Sequence, residues 1–306
     1  MKSLVLCLPG NDRIANRIGA SLDLDVRTVS VHRFPDGEAR VRIDHSVSGR
    51  AVVLTASLDH ADDKILPLLF TAGAARELGA ASVGLVAPYL GYMRQDRRFE
   101  PGEGVSARHF AQLLSSAFDW LITVDPHLHR ISRLEELYRI PARAAASAPL
   151  LADWIGHQVE RPVIIGPDEE SQQWIEQVAG LIGAPCVLLR KRRSGDESVA
   201  ITLPDFRGVV GHQPVLVDDI IATGATMIEA TRLLREAGWP APVCVGVHAV
   251  FAGNAYQQLL AAGAANVVTC NTITHPSNGI DVSRCISEEV AGILGIVAAA
   301  GTEAVR

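Results

Sequence analysis

A doubly wound α/β fold, arranged as two parallel-sheet domains, is what this 306-residue sequence predicts. Three observations support it. Short runs rich in Val, Ile and Leu recur along the chain, as expected of parallel strands buried on both faces. Each run ends in polar or Gly/Pro residues and is followed by a helix-length Ala/Leu segment, the rhythm of strands joined by crossover helices. The length also exceeds what a single hydrophobic core usually supports, so two lobes are expected.

In chain order, Leu4-Val5-Leu6-Cys7 reads as a first buried strand, and it is too short an apolar stretch for an export signal. Strands are then expected over Ser82 to Ala87, Trp120 to Asp125, Pro162 to Gly166, Pro185 to Leu189, Pro214 to Asp218, Val243 to Val250 and Asn266 to Cys270. Helices are expected over Lys64 to Leu78, Ser106 to Ser116, Ser171 to Ile182, Gly224 to Ala237 and Ala255 to Ala262. Pro149 opens a further helix after an alanine-rich, weakly patterned stretch, which places the domain division at 1–144 and 145–306. The apolar stretch from Ala291 to Gly301 is about half the ~20 residues needed to cross a bilayer and suits a packed helix. Both halves contain a strand running into an aspartate, at Asp125 and at Asp218, which hints at a duplicated unit.

A net charge of −6 argues against a broad nucleic-acid or anionic-membrane surface, so any phosphate ligand must be met by local groups. The 5 cysteines are scattered, with no CxxC or zinc-ribbon spacing, which fits a reduced, cytoplasmic setting.

Ligands of open α/β sheets bind beyond the carboxyl ends of the strands, so the polar segments following each apolar run carry the chemistry. In Val217-Asp218-Asp219-Ile220-Ile221-Ala222-Thr223-Gly224-Ala225-Thr226, a strand ends in paired carboxylates and turns through small residues into a helix. Backbone N–H groups and two hydroxyls could converge there on a phosphate, with the aspartates facing sugar hydroxyls or magnesium. A capped Thr/Gly turn is the plainer alternative. The segment from Ala87 to Arg98 delivers Arg94, Gln95, Arg97 and Arg98 after a strand, and guanidinium forks suit a polyphosphate as well as a solvated turn. His32-Arg33-Phe34-Pro35-Asp36-Gly37-Glu38 sets an aromatic ring beside two carboxylates, suited to stacking on adenine or to an ordinary hairpin turn. Asp125-Pro126-His127-Leu128-His129 and Gly166-Pro167-Asp168-Glu169-Glu170-Ser171 offer divalent-cation ligands, although lone histidines commonly pack or cap. Arg190-Lys191-Arg192-Arg193 reads as a cationic segment leaving a strand, which on charge alone is ordinary solvated surface.

The stretch from Val217 to Thr226 resembles the phosphoribosyl-pyrophosphate motif shared by phosphoribosyltransferases and ribose-phosphate pyrophosphokinases. The Ala87 to Arg98 run looks like the ATP-binding segment of the pyrophosphokinases, which the transferases lack. The resemblance spans nearly the whole chain and implies two domains of the phosphoribosyltransferase type. It implies transfer of the pyrophosphoryl group of MgATP to the anomeric hydroxyl of ribose 5-phosphate, giving phosphoribosyl pyrophosphate and AMP. By the same resemblance Phe34, Asp36, Gly37, Glu38, Arg94 and Gln95 bind ATP, and His127 and Asp168 hold Mg²⁺. Asp218, Asp219, Ala222, Thr223, Gly224, Ala225 and Thr226 take ribose 5-phosphate, while Lys191 and Arg193 are catalytic. The segment similar to Phe34 to Glu38 reaches into a neighbouring subunit's ATP site in the family, which implies a homo-oligomer.

Two departures stand out. Many members carry an aspartate where this chain has Ala222, and small Gly-rich residues where it has Glu169-Glu170. The loop is closer to that of archaeal-type members than to the strongly allosteric class. A phosphoribosyltransferase, or a catalytically weak regulatory homologue, remains as an alternative; the absence of a GxxxxGK[ST] segment excludes an ordinary P-loop kinase.

Overall fold

A computed structural model describes residues 3–128, 131, 133–168, 171–194, 198–202 and 209–296, of which 190–194 and 198–202 by their backbone alone. The chain divides into two compact units, Met1–Ala145 together with Ser283–Arg306, and Ala146–Val282.

The first unit runs β1 (Leu4–Cys7), α1 (Asp12–Leu22), β2 (Asp25–Thr28), β3 (Ser30–Arg33), β4 (Ala39–Arg42), β5 (Ala51–Thr55), α2 (Ala61–Glu77), β6 (Ser82–Ala87), α3 (Ser106–Ala117), β7 (Leu121–Val124) and β8 (Ala142–Ala145). Six of the strands form a parallel sheet in the order β2-β1-β5-β6-β7-β8, and β3 and β4 form a separate antiparallel hairpin. The hairpin lies against α2. The inner strands are buried end to end, which is why they read as continuous apolar runs rather than alternating ones. In α1 the buried positions Ile14, Ala15, Ile18, Gly19 and Leu22 follow the helical repeat and give the helix one apolar face for the sheet.

The second unit runs α4 (Ala148–Gln158), β9 (Pro162–Gly166), α5 (Gln172–Ile182), β10 (Cys186–Leu188), β11 (Arg190–Ser194), β12 (Ser198–Thr202), β13 (Gln213–Ile220), α6 (Ala225–Glu236), β14 (Val243–His248), α7 (Ala255–Ala261), β15 (Asn266–Cys270) and β16 (Asn278–Ile280). Its parallel sheet has the order β10-β9-β13-β14-β15-β16, and β11 pairs with β12 in an antiparallel hairpin. Position for position this is the arrangement of the first unit, including a hairpin inserted after the second strand. A duplicated unit is therefore visible in topology, but not through the two aspartate-ended strands that hinted at it: β7, which leads to Asp125, corresponds to β15, and β13, which carries Asp218, corresponds to β5.

The last helix, α8 (Ser283–Leu294), departs from a contiguous division at 144/145. It packs on α1, β7 and β8 of the first unit through Ile286, Ser287, Val290 and Ala291. Arg143 of β8 reaches Glu289 at 3.2 Å. That pair is half-exposed and adds little, so apolar packing is what assigns α8 to this sheet. In the second unit α4 packs on α5 and β16. Each unit is thus completed by a helix that follows the other unit's last strand in sequence.

One glycine is dictated by packing. A Cβ on Gly84 in β6 would lie 1.8 Å from the Trp120 indole, which occupies the side-chain space at that point of the sheet. Gly84→Ala is expected to destabilise the protein by at least ~2 kcal/mol, at the upper part of the overpacking range. The check is a lower denaturant midpoint with an unchanged slope.

Candidate active site

The chemistry-bearing segments of the second unit gather beyond the carboxyl end of its sheet. β13 carries both acidic residues, Asp218 beside Gly246 of β14 and Ile220 beside His248. β9 pairs with β13 on its other side, which brings Asp168, just past the end of β9, near Asp218. The Asp218 carboxylate accepts the Asp219 backbone N–H at 3.0 Å. Burial, and then the neighbouring charges of Asp219 and Asp168, push the Asp218 carboxyl well above the ordinary carboxylate range.

The turn after β13 is built from small residues and held from outside. Its carbonyls at Ile221 and Ala222 accept the N–H groups of Phe251 at 2.8 Å and Ala252 at 3.0 Å. Gly224 has φ +69° and turns the chain into α6, with Ile228 N–H returning to its carbonyl at 2.8 Å. No side chain caps α6, and the Ala225 N–H has only a long 3.4 Å contact to Thr223 Oγ1. The first-turn N–H groups and the positive helix end therefore face the space beside Thr223 and Thr226, an arrangement suited to an anion.

Lys191 and Arg193 lie on β11, opposite Ile201 and Val199 of β12. The cationic tetrad is thus part of a hairpin rather than a continuation of the strand at Cys186.

In the first unit Phe34 to Glu38 form the exposed tip of the β3–β4 hairpin. Phe34 N–H donates to Glu38 O at 2.8 Å, Gly37 N–H to Phe34 O at 2.9 Å, and Glu38 N–H to Asp36 Oδ1 at 3.1 Å. Gly37 has φ +92°, a left-handed backbone that suits glycine. The Phe34 ring is 40% exposed, with the His32 ring 4.8 Å away edge-on and Arg40 at 5.9 Å. A large ring this exposed at a hairpin tip has part of its surface open to stack on a planar partner.

Arg94 is exposed in the segment after β6, whereas Gln95 is engaged within the chain. The Gln95 amide donates to Gly104 O at 2.9 Å, and its carbonyl oxygen accepts the Ser106 N–H at 3.2 Å and the Ser106 hydroxyl. It braces the start of α3, so contact with a nucleotide would require releasing those bonds. His127 is half-buried in the loop after β7, just beyond Asp125 at φ +31°. His127 and Asp168 belong to different units. His129, Glu169 and Glu170 lie outside the described residues.

Among the described residues no three His, Cys, Asp or Glu side chains form a self-sufficient cation cage. Asp168 and Asp218, which crowd one another electrostatically, supply oxygen donors of the kind a hard divalent cation takes, but not the three ligands of a site of their own. Sequence reasoning did not identify the rings of Phe251, Tyr256 and His275, which lie beside this loop.

A parallel sheet carrying a carboxylate pair, a small-residue turn and an uncapped helix start defines a phosphoribosyl-binding domain, and the comparisons with known proteins agree. Residues 133–284 match the phosphoribosyl transferase domain family, and residues 3–117 match the N-terminal domain of ribose phosphate pyrophosphokinase. The ribose-phosphate pyrophosphokinase of Methanopyrus kandleri is 36% identical, over 95% of this chain and 100% of that protein. That of Methanothermobacter thermautotrophicus is 32% identical, over 93% and 99%. The crystal structure of phosphoribosylpyrophosphate synthetase from Mycobacterium smegmatis superposes with a TM-score of 0.83 at 25% identity, covering 96% of this chain and 99% of that one. The chain belongs to the ribose-phosphate pyrophosphokinase family.

The raised Asp218 pKa has a definite sign. A carboxyl that binds its proton more tightly when folded stabilises the fold fully below its unfolded pKa, and that contribution is lost as pH rises through the folded value. Asp218→Asn should therefore become progressively more stable than the parent, without added metal, as pH rises from the ordinary carboxylate range. Thermal unfolding of both proteins from pH 4 to pH 8 is the measurement; a constant difference would contradict the buried, charge-crowded setting of Asp218.

Proposed function

We propose that this chain transfers the pyrophosphoryl group of MgATP to the anomeric oxygen of ribose 5-phosphate, releasing AMP and forming phosphoribosyl pyrophosphate. Family membership supports the reaction, and the second unit's edge supports the acceptor's place in it. The observation that carries the reading is the juxtaposition of Asp218, crowded by Asp219 and Asp168, with an uncapped α6 start. The N–H groups of Ala225 and Thr226 and the hydroxyls of Thr223 and Thr226 hold the 5-phosphate. Asp218 and Asp219 accept hydrogen bonds from the ribose hydroxyls, and Ala222 and Gly224 leave room for the sugar to approach the backbone. The same carboxylates crowd a site that receives a polyphosphate, and Asp168 would help hold the Mg²⁺ that balances this charge. Bound magnesium would screen the phosphates and polarise the β-phosphorus.

Attack of the anomeric oxygen on the β-phosphorus breaks the bond to the α-phosphate oxygen, and AMP leaves. Such transfers depend on alignment and charge neutralisation more than on covalent participation by the protein. Lys191 and Arg193, both on β11, neutralise charge on the transferring and bridging oxygens. Arg94 meets ATP phosphates, and His127 approaches the metal-bound nucleotide. Phe34 stacks on adenine with Asp36 and Glu38 beside it, and its exposure at a hairpin tip suits insertion into a neighbouring copy, making the active form a homo-oligomer. Gln95 contributes by bracing the loop that presents Arg94.

Incubation with ribose 5-phosphate, MgATP and phosphate should yield AMP and phosphoribosyl pyrophosphate in equal amounts. Absence of AMP across metal and phosphate conditions would sink the reading, and product formation without ATP would favour a phosphoribosyltransferase. Lys191→Ala should lower kcat by about 100-fold or more, the scale of one lost transition-state donor, while KM changes little.

A further inference from the structure

The turn from Ile221 to Gly224 has little means of holding its own shape. Its side chains are small apart from Ile221, and its one internal side-chain bond is the 3.4 Å contact between Thr223 and Ala225. Its conformation is set instead by the strand-end segment that follows β14. There the N–H groups of Phe251 and Ala252 grip the carbonyls of Ile221 and Ala222, and the Ala255 methyl lies 3.8 Å from the Cβ position of Gly224.

That grip depends on an unfavourable backbone. Phe251 has φ +32°, in the left-handed region that is unfavourable for L-residues and that bulky side chains seldom adopt. A strained residue persists where its surroundings over-determine it, and here the surroundings are aromatic. The Phe251 ring lies 4.6 Å from the His275 ring and 5.3 Å from the Tyr256 ring, and Tyr256 and His275 meet edge to face at 4.9 Å. His275 is itself locked: its Nδ1 accepts the Ser277 N–H at 3.2 Å and pairs with the Ser277 hydroxyl at 2.8 Å. Ser277 in turn bonds Thr269 of β15 at 2.7 Å. Three rings, anchored to α7 and to β15, thus hold one strained peptide against the candidate sugar-phosphate turn.

We infer that Phe251, Tyr256 and His275 are positioning residues for ribose 5-phosphate, acting through the Ile221 and Ala222 carbonyls without touching the sugar. The inference rests on the reading of this turn as the sugar-phosphate site. Ala222 offers no polar side chain, so at this point of the turn binding depends on backbone placement, which the ring cluster supplies.

The test is calorimetric titration of ribose 5-phosphate into the full-length protein, paired with steady-state KM values for both substrates. Phe251→Leu and Tyr256→Leu should each weaken ribose 5-phosphate binding about tenfold while leaving the KM for ATP within twofold. Tyr256→Phe, which keeps the ring, should bind as the parent does. Phe251→Gly and Phe251→Ala separate strain from grip: both remove the ring and should lose affinity alike, but the glycine relieves the left-handed backbone and should lose less thermal stability than the alanine. His275→Gln, at a half-exposed position, covers the case in which a core-facing variant fails to fold and should show the same selective loss. Folded variants with unchanged ribose 5-phosphate affinity would overturn the inference, as would equal losses for both substrates. A parent protein that does not bind ribose 5-phosphate would instead remove the underlying assignment of the turn.

Discussion

The constraint on which the second unit turns is the placement of Asp218 at the end of its central strand, partly withdrawn from water and facing two further carboxylates. Left alone the arrangement is unfavourable, because burial and like charge both oppose ionisation. It becomes favourable only when cationic or hydrogen-bond-donating ligands arrive. The surrounding features follow the same logic: the helix start beside it is left uncapped, the turn between them is kept small, and a cationic hairpin is inserted before the strand. A site built from groups that repel one another is poised to bind what neutralises them.

The duplicated architecture shows what a closed version of that site looks like. In the first unit the turn after β5 occupies the position that the turn after β13 holds in the second. There Lys64 from the following helix donates to Ser57 O at 3.0 Å and pairs with Asp59 at 2.5 Å. Asn11, where the second unit has the loop bearing Asp168, accepts the Ser57 N–H at 2.8 Å. The first unit's strand-end turn therefore satisfies itself with its own side chains. Its functional candidates lie elsewhere, on the β3–β4 hairpin tip and in the segment after β6. The same scaffold has been kept open in one copy and filled in the other.

Much of this was legible in the sequence where the signal is local. Ser82–Ala87, Pro162–Gly166 and Asn266–Cys270 stand as strands with the bounds their apolar runs indicate, because strands buried on both faces leave an uninterrupted hydrophobic stretch. The hairpins were less legible: β3 and β4 are largely exposed and lack a buried face, and the Arg190 to Arg193 tetrad resembles solvated surface. The Asp218 to Thr226 turn could be read because its groups are contiguous. The Phe251, Tyr256 and His275 cluster could not, since its rings come from a strand exit, a helix and a distant connection that meet only in three dimensions. Gln95 marks a different limit, for composition offers an amide but does not say that backbone groups at Gly104 and Ser106 already use it.

The helix that completes the first unit follows the whole second unit in sequence, and this has a consequence for how the protein is made. Domains tend to fold as units, the amino-terminal one first, while synthesis is still under way. Here the surface of α1, β7 and β8 that α8 covers must wait, uncovered, until the whole second unit has left the ribosome. A fragment ending at Ala145 would leave that surface bare, because α8 lies beyond the second unit in sequence, whereas the second unit, Ala146–Val282, is contiguous and holds its own α4. The first domain begun is latched only by a helix made after the second.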